Sequence, residues 1–162
     1  MKGDKGLLLK EELYQKLYAP DIEEVPGLKE LLRQLRARNL KLAIATTAPE
    51  MNRSFGLRAL GLTDAFDAIL GDEHATHGKP HPDIYLKTAK RLNVDPAHCL
   101  VFEDTPVGVE AGKKAGMRVV GLLTTHSPQD LNEADLRVKD FTQLVLQRPL
   151  NLMTKDQKNQ AQ

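Results

Sequence analysis

Four short apolar runs alternate with helix-patterned segments along the chain: LAIA at Leu42–Ala45, FDAIL at Phe66–Leu70, CLVF at Cys99–Phe102 and RVVGLL at Arg118–Leu123. Runs this short, continuous rather than alternating in polarity, read as strands covered on both faces. Between them the apolar residues recur at helical spacing. Leu28, Leu31, Leu32 and Leu35 share one face of a helix opened by Pro26. Pro49 opens the next, which reaches about Leu60 and stops at Gly61; others run from about Pro82 to Leu92 and over 106–115, the last ending at Gly116. Strand and helix in strict alternation predict an α/β fold with a doubly wound, Rossmann-like parallel sheet. Such sheets bind ligands beyond the carboxyl ends of their strands, near the switch in strand order. The loops to inspect therefore follow Ala45, Leu70 and Phe102.

The remaining chain is read around that core. Leu9, Leu13 and Leu17 recur at i+4 and predict an amphipathic helix from about Leu7 to Tyr18, ended by Ala19-Pro20-Asp21. ADLRVKDF reads as a short edge strand and FTQLVLQ as a last helix. The polar end, residues 149–162, reads as a disordered tail. The chain has 162 residues, 41% apolar and 28% charged, which is room for one ordinary globular core. A net charge of +1 gives no reason to expect nucleic acid or a membrane surface. No apolar run approaches the roughly 18 residues of a membrane span. The single cysteine, Cys99, cannot form an internal disulfide and reads as a small buried residue. These features predict a cytoplasmic protein, taken as a monomer.

Each of the three loops carries chemistry. Thr46 and Thr47 stand where a strand gives way to a helix. Free backbone N–H groups and the positive dipole end there suit a phosphate, although a threonine in that place also serves as a plain helix cap. Lys79, in GKPHPD, is one cation on a loop fixed by Gly78 and Pro80 that could neutralise a phosphate or a carboxylate, although by itself it reads as a solvated loop lysine. Glu103 and Asp104 end an apolar strand. Two adjacent carboxylates repel, and oxygen ligands with few protein contacts suit Mg²⁺, which keeps several waters. Gly108 and Gly112 behind them allow a tight turn and close helix packing. Hydroxyl, lysine and acidic pair, in that order and each after a strand, are a ligand set for a phosphoryl group bridged to Mg²⁺. His74, His77 and His81 raise zinc as a rival, but they lie in a polar loop and share no helical face.

This constellation resembles the haloacid dehalogenase superfamily, and within it the β-phosphoglucomutase-like phosphatases with a small helical cap. LAIATTAP resembles the second motif, with its hydroxyl at Thr46. GKPHPDIY resembles the third, with its lysine at Lys79. LVFEDTPVGVEAGKKAGM resembles the fourth, with the Mg²⁺ carboxylates at Glu103 and Asp104. YAPDIEEVPGLKELL resembles the return from cap to core, which puts Lys10 where relatives place a lysine facing the substrate phosphate. The resemblance implies a remnant of a helical cap at 1–20, an α/β core at 21–148, and Mg²⁺ as cofactor. It also implies a small phosphorylated sugar or metabolite as substrate. The implied chemistry runs through an aspartyl-phosphate, with a second aspartate two residues on as general acid and base.

The family's first motif, an apolar strand ending in D-x-D-G, has no counterpart here. The only early aspartate is Asp4, and position 6 is Gly6. The family's strand order would set that strand centrally, between KLAIAT and CLVFED. The expectation is a doubly wound sheet without its first, central strand, in a chain inactive by itself and lacking roughly 60 residues of strand and cap. A non-catalytic homologue that binds Mg²⁺, phosphate or a protein partner is a second reading. A different doubly wound module is a third, against which the absence of G-x-G-x-x-G and of a P-loop counts. Between phosphatase and phosphosugar mutase, Glu50 favours the phosphatase, because it would repel a second phosphate beyond the hydroxyl motif.

Overall fold

A computed structural model describes residues 22–147 and 151–154. The expected helix over Leu7–Tyr18, and Lys10 with it, lie outside the described residues. Within them the chain alternates as its pattern predicts. Helix α1 (Leu28–Arg36) precedes β1 (Ala43–Ala45), α2 (Glu50–Ala59), β2 (Ala68–Leu70), α3 (Asp83–Leu92), β3 (Leu100–Glu103), α4 (Pro106–Lys114), β4 (Arg118–Leu122) and β5 (Leu136–Val138). All pairings among these strands are parallel: β1 with β2, and β3 with β4 with β5. Gly61 and Gly116, read as helix stops, have φ of +66° and +75°, the left-handed conformation that ends a helix.

Two apolar layers cover the sheets. Val101, Val119, Ala68 and Leu70 face Ile84, Tyr85 and Ala89 of α3 and Val109 and Ala111 of α4. The alternate residues Leu100, Phe102, Val120 and Leu122 face Leu31, Leu32 and Leu35 of α1, with Leu57 of α2 and Phe141. Strand residues alternate between faces with period two, so each strand feeds both layers. Burying each leucine of α1 contributes roughly 1.5–3 kcal/mol. Helices on both faces make this a doubly wound α/β fold.

The strands nonetheless form two sheets, β1–β2 and β3–β4–β5. Among the described residues β1 and β3 do not pair, although both layers run across them. The N–H of Thr46 donates to Leu70 O, so the N–H of Ala45, one residue back, points to the far edge of β1. Arg118 N–H donates to Cys99 O, so the backbone groups of Leu100 and Phe102 point away from β4. Ala43, Ala45, Leu100 and Phe102 are accordingly half-buried, where an inner parallel strand is normally buried.

Two expectations need correcting. FTQLVLQ is not a helix. Phe141–Gln143 is a single 3-10 turn capped by Asp140, and Leu144–Gln147 is a strand, β6. The start of the turn is anchored, with Phe141 N–H donating to Pro26 O and the ring buried edge-on against Phe102 at 5.4 Å. Strand β6 pairs antiparallel with β7 (Asn151–Thr154), so part of the expected tail is ordered by backbone pairing. An apolar run of this length cannot be told from a helix by periodicity. Gly27 ties the 3-10 turn to α1: its φ is +86°, and a Cβ there would lie 2.8 Å from Thr142 N.

Candidate active site

The loops after β1, β2 and β3 converge on one pocket of about 430 Å³, lined by Thr46, Thr47, Asp72, Gly78, Lys79, Glu103, Asp104 and Thr105 among others. Thr46, Thr47, Lys79, Glu103 and Asp104, all singled out in the sequence, thus line one pocket. Lys10 lies outside the described residues.

Thr46 is half-buried and Thr47 exposed. The Thr46 hydroxyl oxygen accepts from Ala48 N–H at 3.1 Å, so it caps the turn into α2, and its own hydrogen is left to donate into the pocket. Arg53, one turn into α2, donates to Ala48 O at 2.7 Å and pairs with Glu73 at 2.5 Å. That clip ties the start of α2 to the 3-10 turn Asp72–His74 after β2.

The loop carrying Lys79 is held from α3. The Asp83 carboxylate, at the first residue of that helix, accepts from Thr76 N–H and His77 N–H and pairs with Lys87 at 3.1 Å. The Thr76 N–H above all, then Lys87, holds the Asp83 carboxyl down at about 2. A depressed acid contributes stability above its ordinary value near 4 and loses it as pH falls through the folded value. Asp83→Asn is therefore expected to flatten the acid limb between about pH 4 and pH 2 relative to the parent. Urea midpoints taken at several pH values check this, and parallel curves would exclude it.

Why a strand that faces helices on both sides ends in two carboxylates now has a structural answer. Glu103 follows Val101 by two residues, so it points to the same face, toward α3 and α4. There it is buried, with 8% of its side chain exposed. Lys79 Nζ and the Tyr85 hydroxyl both donate to Oε1, and the Thr105 hydroxyl donates to Oε2 at 3.2 Å. Space for the carboxylate comes from Gly108, where a Cβ would sit 2.0 Å from Oε2. Burial first, then the Glu103 charge, pushes the Tyr85 phenol far above its ordinary value, so it stays a neutral donor. The Lys79 ammonium lies 4.9 Å from the Tyr85 ring centroid. Asp104, the next residue, turns to the pocket, and its Oδ2 accepts from Thr125 at 3.1 Å.

Residues 6–122 match the haloacid dehalogenase-like hydrolase family. The chain belongs to that family. It is 38% identical over 125 residues to validoxylamine A 7′-phosphate phosphatase of Streptomyces hygroscopicus subsp. limoneus, covering 77% of this chain and 59% of that protein. It is 38% identical over 135 residues to β-phosphoglucomutase of Bacillus subtilis, covering 83% and 57%. The crystal structure of β-phosphoglucomutase from Clostridium difficile superposes with a TM-score of 0.73 at 31% identity, over 84% of this chain and 60% of that one. The chain thus spans under two thirds of the length of these relatives.

The pocket and its surroundings also contain residues that sequence reasoning missed. Thr105 carries a signal, as a threonine ahead of Pro106: its hydroxyl accepts from Gly108 N–H and caps α4. Tyr85 reads as one more apolar position of α3, and nothing local marks its hydroxyl. Arg53 and Thr125 are likewise set by tertiary contacts, and Asp72 lines the pocket from the turn after β2. The three histidines do other work. His74 Nδ1 accepts from Gly71 N–H, and the rings of His77 and His81 stack at 4.5 Å. No group of three metal-ligating side chains occurs among the described residues. Cys99 is half-buried rather than buried, because its thiol reaches outward to Asp95 O at 3.4 Å. No helix among the described residues is long and apolar enough to cross a membrane.

Proposed function

We propose that this chain carries the phosphate- and cation-binding part of a Mg²⁺-dependent phosphatase acting on a small phosphorylated sugar or metabolite. The observation that carries the reading is the convergence of Thr46, Lys79 and Asp104 on one pocket at the carboxyl ends of parallel strands. Lys79 and the Thr46 hydroxyl supply donors to phosphoryl oxygens, with Thr47 at the rim. Asp104 and Glu103 are oxygen ligands of the kind Mg²⁺ takes with waters completing its shell, and Asp104 is the one directed outward. Bound there, Mg²⁺ would offset charge on the phosphoryl group.

The described residues contain no D-x-D sequence. In this reading the aspartate nucleophile and its acid–base partner belong to a strand seated between β1 and β3, whose facing edges offer unpaired backbone groups. The described part alone then binds phosphate without turning over phosphate esters. Inorganic phosphate is expected to bind in the presence of Mg²⁺, and Lys79→Met to weaken it by about a hundredfold, the loss of one charge-assisted contact and its field. Titration followed by ³¹P NMR reads both. Binding that survives Lys79→Met, or ester turnover that vanishes in Asp104→Asn, would overturn one half of the reading or the other.

The mutase alternative has a specific point against it. Glu50 is exposed at the first residue of α2, beside the hydroxyl motif, where a second phosphate would meet a carboxylate. A sugar bisphosphate is therefore expected to bind no tighter than the monophosphate.

A further inference from the structure

Lys79 faces a choice that the pocket alone does not reveal. Its side chain is 10% exposed and its ammonium already paired with Glu103, so it is neutralised by a buried carboxylate before any anion arrives. A lysine in that position serves a phosphate only if Glu103 can do without it. An ionised carboxylate left buried without donors is costly. Two donors remain when Lys79 turns away: the Thr105 hydroxyl at 3.2 Å and the Tyr85 hydroxyl, which shares Oε1 with Lys79. Thr105 is pinned by its second task, capping α4 through Gly108 N–H. The Tyr85 hydroxyl bonds to Glu103 from a ring only 5% exposed and fixed in the core. The same ring offers its face to the ammonium, so the cation keeps one contact while it exchanges the other.

We propose that Tyr85 is a positioning residue of the phosphate site: its hydroxyl holds Glu103 so that Lys79 can leave that carboxylate for the anion. The proposal rests on the reading that Lys79 meets phosphate. Its plain rival is that Tyr85 is a core tyrosine whose hydroxyl merely found an acceptor. That rival predicts a cost in stability and nothing specific to Lys79.

A double-mutant cycle on the full chain separates the two, with inorganic phosphate and Mg²⁺ as the probe. Tyr85→Phe keeps the ring and removes the hydroxyl. It is expected to weaken phosphate binding about tenfold, the worth of a hydrogen bond to a charged group. In a Lys79→Met background, where there is no ammonium to release, the same change should alter the residual binding by less than about twofold. An equal loss in both backgrounds, or no loss in the parent, overturns the proposal. The ¹⁵N–¹H signal of the Lys79 ammonium supplies a readout that needs no phosphate: Tyr85→Phe must shift it, because Lys79 becomes the main donor to Glu103. If phosphate does not bind the parent, the phosphatase reading falls, and this signal still decides the Tyr85–Glu103–Lys79 linkage. An unmoved signal overturns it.

Discussion

Gly108→Ala is expected to cost about 3 kcal/mol of stability, or roughly 10 °C in melting temperature for a domain of this size. The added methyl would lie 2.0 Å from Glu103 Oε2 and 2.1 Å from Cδ. A flexible carboxylate at the surface would swing aside at little cost. This one is boxed in by Lys79, Tyr85 and Thr105, so moving it breaks a buried charged set. Phosphate binding should fall with it, since Lys79 loses its place. Gly56→Ala is the matched control. Nothing lies within 4 Å of a Cβ at Gly56, in the middle of α2, and alanine there should stabilise by about 0.5–1 kcal/mol. Thermal melts of the two variants check both signs. A Gly108→Ala protein melting within about two degrees of the parent would mean that Glu103 is not held as described.

The second large effect concerns the two facing strand edges. Amide protons of Ala45 and Phe102 are expected to exchange on the order of a thousandfold faster than those of Val101 and Val120. Val101 and Val120 sit within the β3–β4 ladder, and their N–H groups have partners there. Ala45 and Phe102 lie only a residue away along β1 and β3 but point to the other edge. Val101 and Val120 are also buried where Ala45 and Phe102 are half-buried, so the missing partners and the lower burial act in the same direction. Residue-resolved hydrogen exchange by NMR reads it directly. Equal protection at Ala45 and Phe102 would show that a strand, from whatever source, already occupies the place between β1 and β3. Exposed inner edges also make the protein prone to strand addition, so the same experiment bears on its solubility.

Much of this molecule was legible in one dimension. Periodicity identified β1 to β5 and α1 to α4, because continuous apolar runs and i, i+3, i+4 spacing follow from burial on one or two faces. Thr46, Lys79, Glu103 and Asp104 stood out in the sequence because they sit at strand ends or in the loops that follow them, where a doubly wound sheet binds ligands. Where local pattern is degenerate, it failed. FTQLVLQ fits a helix as well as a strand, and the pairing of Leu144–Gln147 with Asn151–Thr154 decides between them.

What the sequence determined by itself was the identity and order of the groups: hydroxyl, lysine, acidic pair, each after its own strand. What only the tertiary structure decided was their division of labour. Glu103 and Asp104 are neighbours in the chain and look equivalent there. Both line the pocket, but Glu103, the last residue of β3, is buried and held by Lys79, Tyr85 and Thr105, while Asp104, just past the strand, is half-buried and accepts from Thr125. No local signal pairs Glu103 with Lys79 or Tyr85, because a buried charge is satisfied by whatever donors the packing brings within reach, here from 24 and 18 residues away.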